Sequence, residues 1–198
     1  MNATPEQFAG LVAANRSYRR FDESTDVSIG TLRELVALAR ITPSGMNRQP
    51  LKYVLSSSRE MNARIFETLA WAGSLKEWAG PAEGGRPAAD IVSLSDGSLA
   101  KSQPQDVGIA AQTMLLGAVA RGLGGCMVGA INKPALRSVL ALPEELSIAL
   151  VIALGEPAEK IVLEDAEIGG DVTYYRDASS THYVPKRTLE EIIVQSHD

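Results

Sequence analysis

The chain has 198 residues, 45% of them hydrophobic and 22% charged, which fits one soluble domain able to bury its own core and excludes a disordered or fibrous polymer. A formal net charge of −5, from 19 basic and 24 acidic side chains, argues against a nucleic-acid-binding surface. With two His and a single Cys, a disulfide framework and a His/Cys metal site are both excluded, and His182 is the only His away from the chain end that could serve a Ser-His-Asp arrangement.

In chain order, Thr4-Pro5-Glu6-Gln7 reads as a capping box with Pro at the first helical position, opening a helix to about residue 14–16. Its amino-terminal run has no signal-peptide pattern, and no apolar run reaches membrane-spanning length, so a cytoplasmic location without membrane contact is expected. A second helix follows Ser28, with Leu32, Leu35, Val36 and Ala39 on one face, and stops before Pro43. Residues 42–50 form a loop, Leu51 to Leu55 a strand, and 59–70 a helix. The stretch 73–88, rich in Gly, Ala and Pro, reads as a mobile excursion or a plain connector. Asp90 to Leu94 is a short strand. The segment 105–121 is a helix apolar nearly all round, lined with small residues, as a buried helix at the core of a dimer would be. Pro134 to Leu140 is a helix and Ile148 to Leu154 a buried strand ending at Gly155. Beyond it, 156–181 is acidic and weakly periodic, and 181–185 and a helix at 188–195 resume order. This tail reads as an arm over its own domain or over a partner, in a single domain spanning 1–198.

Three segments carry candidate chemistry. Gly122-Leu-Gly124-Gly125-Cys-Met-Val-Gly129 is not a dinucleotide fingerprint, because a helix rather than a strand precedes it. Its first glycines suit a helix C-cap and a tight turn, whereas Gly129 leaves room for a ligand against the backbone. Asn15-Arg16-Ser17-Tyr18-Arg19-Arg20 offers three guanidiniums and a hydroxyl that could cradle a phosphate, or could simply complement the helix C-terminus. Residues 1–52 are locally basic, seven cations against five acids, while 156–198 hold four against ten. Pro43-Ser44-Gly45-Met46-Asn47-Arg48-Gln49-Pro50 supplies short polar groups and free amides, as a heterocycle-binding turn or an Asx-type turn does.

In their order and spacing these pieces resemble the nitroreductase family of FMN-dependent NAD(P)H oxidoreductases. The resemblance runs from Arg-Ser-x-Arg through Pro-Ser-Gly-x-Asn-x-Gln-Pro and the small-residue helix to Gly155-Glu-Pro157 and Pro185-Lys186-Arg187. It implies an α+β fold, a central mixed or antiparallel sheet flanked by helices, in an intertwined homodimer whose 156–198 arms cross to the partner. It implies that Arg16, Ser17, Lys186 and Arg187 hold the FMN phosphate and that Arg19 stands at the flavin pyrimidine edge. Pro43, Ser44, Gly45 and Asn47 would come from the partner subunit, and Met127, Val128 and Gly129 would pass one flavin face. With no catalytic side chain and no metal, NADH or NADPH would reduce the flavin in a ping-pong cycle. A nitroaromatic, quinone or activated alkene would accept the electrons. A non-catalytic FMN carrier or sensor is the alternative, and a flavin-free dimeric scaffold binding another phosphate is a third. Asn15 stands where many members have Arg, Lys186 and Arg187 are adjacent rather than separated, and residues 81–86 lack an Asn and Lys found in some members.

Overall fold

The Thr4 hydroxyl accepts from the Gln7 amide and the Gln7 side chain accepts from the Thr4 amide, so the capping box forms and helix α1 runs Pro5–Ala14. In the computed structural model, which describes residues 4–100 and 102–197, this helix is the first element of one of two compact units. That unit holds the chain through Trp71 and Gly80–Ala158; the other joins Ala72–Ala79 to the segment from Glu159 onward.

Within the first unit, α2 (Ile29–Arg40) is capped by the Ser28 hydroxyl and buries Leu32, Leu35 and Ala39, the face its spacing predicts. Helix α3 (Arg59–Phe66) is shorter than 59–70, because Thr68 folds both its amide and its hydroxyl back onto the Ile65 carbonyl. The strands β1 (Phe21–Asp22), β2 (Leu51–Ser56), β3 (Ala89–Asp96), β4 (Gly124–Val128) and β5 (Leu146–Pro157) form one antiparallel sheet. β2 pairs with β3, β3 with β5, and β5 also receives β4 and β1. α2 and α4 (Pro104–Val119) pack on one face, where Leu32, Leu35, Met114 and Leu115 meet Ile91, Ile152 and Leu154. Strand alternation turns Asp90, Val92 and Leu94 to the opposite face, where Asn62 of α3 reaches the Ala88 carbonyl at 2.7 Å and Ser56 at 2.5 Å. α5 (Lys133–Leu140) buries Leu136.

In the single chain, α4 is only partly enclosed. It is buried on one side only: Ala110, Ala111, Met114 and Ala118 face the core, while Gln105, Gly108, Ile109 and Gln112 are exposed. The apolar pattern predicts burial at the core of a dimer, and a single chain has a sheet to offer on just one side of the helix. α1 likewise buries none of its residues and leaves Phe8 56% exposed.

The segment that carries the arginines is placed by glycines. Ser17 bridges to Gly125, the Tyr18 amide donates to the Gly125 carbonyl at 3.0 Å, and the Phe21 amide donates to the Gly85 carbonyl at 3.0 Å. Residues 17–21 therefore cross the end of β5, from β4 toward the residues that precede β3. Side chains on the strand ends would block that crossing. A Cβ on Gly124 would lie 2.4 Å from the Tyr18 ring, and one on Gly155 2.9 Å from the Phe21 ring. On Gly125 it would meet the Ala153 carbonyl at 2.7 Å. Gly122, at φ +76°, ends the preceding helix as the C-cap reading proposed.

The second unit has a sheet of its own, which the weak periodicity of 156–181 does not suggest. β6 (Ile161–Asp165) lies parallel to β8 (His182–Lys186), and β7 (Tyr175–Arg176) pairs antiparallel with β8. α6 (Leu189–Ile192) is one turn long, shorter than 188–195. Residues 72–79 are tied to this sheet. The Arg176 guanidinium lies 4.2 Å over the Trp78 ring and pairs with Glu159 at 2.7 Å, and the Tyr174 hydroxyl accepts from the Ser74 amide. The stretch 73–88 is thus not one excursion: its first part belongs to the second unit and its remainder to the first.

Asp90 is 2% exposed, its Oδ1 has no hydrogen-bond partner among the described residues, and burial pushes its pKa up to about 8. The folded state holds that proton while the unfolded chain releases it near 4, so the Asp90 contribution to stability falls as pH rises from about 4 to about 8 and then levels off. Asp90→Asn is expected to remove this slope, measured as melting temperature against pH. Gly125→Ala is expected to cost about 1–3 kcal/mol in denaturant unfolding. Gly10→Ala, where a Cβ meets nothing within 4 Å, should stabilise α1 by about 0.5–1 kcal/mol.

Candidate functional site

The crossing segment presents Arg16, Ser17 and Arg19 beside the amino end of β4. Arg16 serves α1 with one nitrogen: its Nη2 donates to the Val12 carbonyl at 2.7 Å, as the helix-complement reading proposed. Its Nε is buried and has no partner among the described residues. A buried guanidinium nitrogen without an acceptor is costly, so an anionic oxygen from outside the chain is its natural complement. Arg19 folds back with Nη1 on the Ser17 carbonyl at 3.2 Å. Downstream on β4, Met127 is exposed, Val128 is buried, and Gly129 is exposed with open space where a side chain would stand.

The loop Pro43–Asn47 is built differently. Gly45–Asn47 form a single 3-10 turn, and Met46, Asn47 and Gln49 all adopt positive φ. The turn is held by Ser44, whose Oγ accepts from the Gln49 amide at 3.1 Å, and by Asp106 at the start of α4. The Asp106 carboxylate takes the Gly45 amide at 2.8 Å and the Gln103 amide at 3.1 Å, and these two bonds hold its pKa below the usual carboxylate range. Asp106 has a positional role the sequence reading missed; the Gln103-Pro104-x-Asp106 capping box was its legible signal.

Sheet register separates these two segments. The loop enters β2 at Leu51, which pairs with Ser95, which in turn pairs with Ser147. The arginine segment joins β4 at Gly125, opposite Leu154. The two points lie roughly 23 Å apart along the strands and about 14 Å apart across three strand spacings. Within one chain the structure joins the arginine segment to β4 at Gly125, with Met127–Gly129 two to four residues further along, and keeps Pro43, Ser44, Gly45 and Asn47 at the far corner. Lys186 and Arg187 belong to the second unit, where Lys186 ends β8 and Arg187 pairs with Glu191.

The donors at the arginine segment fit a flavin mononucleotide: an unsatisfied buried guanidinium nitrogen and the Ser17 hydroxyl suit its phosphate, and the uncovered Gly129 backbone suits a flat ring. Among the described residues, no group of three or more His, Cys, Asp or Glu side chains stands close enough to hold a metal, and no helix is long and apolar enough to cross a membrane.

Known proteins share this fold. A curated relative from Archaeoglobus fulgidus, provisionally named NADH dehydrogenase/NAD(P)H nitroreductase, is 25% identical over 163 residues, 78% of this chain and 88% of its own. A nitroreductase family protein from Clostridium difficile 630 superimposes with a TM-score of 0.63 at 21% identity, covering 80% of this chain and 86% of that one. An FMN-dependent nitroreductase from Clostridium difficile R20291 gives 0.62 at 19% identity, over 77% and 88%. These two structures share the α+β fold, an antiparallel sheet flanked by helices. The model of the Nitroreductase family matches residues 12–156, from within α1 to near the end of β5. That span contains the glycine-floored crossing, the Pro43–Asn47 turn and the one-sided helix α4, and the chain belongs to the nitroreductase family, a family of oxidoreductases.

Proposed function

We propose that the chain is an FMN-dependent oxidoreductase that uses NAD(P)H to reduce small electron acceptors, and that it works as a homodimer. The observation that supports this best is the unsatisfied Arg16 Nε, next in the chain to Ser17, which bridges to β4 at Gly125 on the strand that leads to the uncovered Gly129 backbone. The bound flavin would supply hydride transfer between reductant and acceptor, chemistry that needs no acid–base triad in the protein. Arg16 and Ser17 hold the phosphate by charge-assisted hydrogen bonds, joined by Lys186 and Arg187 of the arm. Arg19 places a cation at the pyrimidine edge, where negative charge accumulates on reduction. Met127, Val128 and Gly129 orient one ring face through their backbone.

The second copy enters for a geometric reason. Pro43, Ser44, Gly45 and Asn47 stand at the opposite corner of the sheet from Arg16, too far to share one flavin with it. In a two-fold dimer the loop of one chain meets the arginine segment of the other. The exposed side of α4, with Gly108 and Ile109, and the exposed Phe8 of α1 offer apolar surface for that contact. The 156–198 arm of what we read as a single functional domain crosses to the partner. Reductant and acceptor then occupy the same place in turn, with the balance NAD(P)H + H⁺ + acceptor → NAD(P)⁺ + reduced acceptor; nitroaromatics, quinones and activated alkenes are the acceptor classes.

The purified protein is expected to be yellow, or to turn yellow and retain colour after FMN addition and gel filtration, and NADH or NADPH should bleach it under anaerobic conditions. A protein that stays colourless refutes the reading, and one that binds FMN but resists both nucleotides is a carrier. Arg16→Ala should weaken FMN binding by about ten-fold or more, measured by flavin fluorescence titration. Arg59→Ala, which removes an exposed pair with Asp26 and a long bond to the Ser24 carbonyl, should leave it unchanged.

A further inference from the structure

A small pocket of about 30 Å³ lies beside α3. One wall is a stripe of that helix, Arg59, Asn62 and Phe66, at the i, i+3, i+7 spacing of a single helix face. The other wall is the chain from Arg86 to Ala88, which leads into β3, and Glu23 and Asp26 complete the lining after β1. A water needs about 10–15 Å³ of such space, so the pocket holds about two waters or the head of one compact ligand.

Arg86 is the residue of this lining whose bonding is incomplete. Its guanidinium lies 4.6 Å over the Phe66 ring, a contact that uses its charge and none of its N–H groups. Its Nε is buried without an acceptor among the described residues, and there the guanidinium enters no ion pair. The other polar groups are committed. The Asn62 amide donates to the Ala88 carbonyl at 2.7 Å and accepts from the Ser56 hydroxyl at 2.5 Å. Glu23 Oε2 accepts from the Gly84 and Arg86 amides at 2.6 and 3.2 Å. Asp26 pairs with Arg59 at 2.8 Å, both well exposed. These two charges cancel and two amides offset that of Glu23, which leaves the N–H edge of Arg86 as the open donor of the pocket.

We propose that this pocket binds a compact carboxylate, of formate or acetate size, held side-on by Arg86. The class of ligand follows from the orphaned atom. Nε and the Nη on its side aim two parallel N–H groups, which the two oxygens of one carboxylate meet together and a halide cannot. The volume excludes branched or aromatic acids. None of these residues belongs to the segments assigned to the flavin. The wall nonetheless continues into the arginine crossing, because the Phe21 amide donates to the Gly85 carbonyl at 3.0 Å and the Glu23 amide to the Gly84 carbonyl at 3.3 Å. The bound anion therefore clamps α3 to the chain that frames the crossing, and it stabilises the first unit without entering a reaction.

The test is the melting temperature of the purified protein in sodium formate, acetate or pivalate, each against sodium chloride at equal ionic strength and pH 7. Formate and acetate are expected to raise it saturably, by about 3–6 °C at ten times the dissociation constant. Pivalate, whose tert-butyl group exceeds the pocket, should match chloride. Arg86→Gln removes the charge and Arg86→Lys keeps the charge but removes the fork, so the rise should vanish in the first and largely vanish in the second. No saturable rise in the unaltered protein, an equal rise with pivalate, or a rise that survives in Arg86→Gln overturns the proposal. A second readout needs no variant: the protein should broaden the ¹³C line of labelled formate, and excess acetate but not pivalate should restore it. A line that stays sharp overturns the proposal equally. The flavin is tested apart from this site, since a colourless protein should show the same rise.

Discussion

The close approach of residues 17–21 to the ends of β4 and β5 is the constraint on which the candidate site depends. Tyr18 and Phe21 lie against strand positions where a single added carbon would collide with their rings, so Gly124 and Gly155 act together as a floor, while Gly125 lets β4 close on Leu115 and β5. Steric exclusion is a stronger device here than any hydrogen bond in the segment, because a well-packed interior cannot absorb an extra methyl without shifting backbone. It fixes where the Arg16 backbone emerges. The guanidinium is then fixed again by the Val12 carbonyl. The glycines that look like a nucleotide-binding motif thus serve a neighbouring piece of protein, and the site's positive charge is arranged by apolar contact.

A second constraint is register. β5 takes β3 along most of its length and β4 at its far end, so the chain segments joined to β2 and β4 leave the sheet at opposite corners. Asp106 then locks the corner at Pro43–Asn47 by tying that turn to α4. The fold holds the arginine segment and the Pro43–Asn47 turn apart, while one side of α4 lies uncovered. The homodimer proposed above would account for both.

Much of the first unit was legible because its signals are local. Thr4 with Gln7, Ser28 before an i, i+3, i+4 stripe, and the short apolar runs at Leu51 and Ile148 each specify an element with little help from distant residues. The arginine and proline segments were legible as polar clusters whose order along the chain resembles one family. What escaped was non-local. Asp90 sits in a strand that reads as apolar, and nothing in its neighbours shows that its Oδ1 ends without a donor. The pairing of β6 with β8 joins segments about twenty residues apart, so while 181–185 reads as ordered, the acidic, weakly periodic stretch that holds β6 carries no local trace of its partner. The division within 73–88 depends on Trp78 meeting Arg176, nearly a hundred residues later.

That last contact has a practical side. The chain contains two tryptophans, seven residues apart, and they fall in different units: Trp71 beside Phe66 in the first, Trp78 under the Arg176 guanidinium in the second. The indole is an environment-sensitive fluorophore, so each unit contains its own optical probe. Chains carrying one tryptophan at a time would therefore display the unfolding of either body separately, and coincidence or divergence of the two transitions would measure how cooperatively they fold.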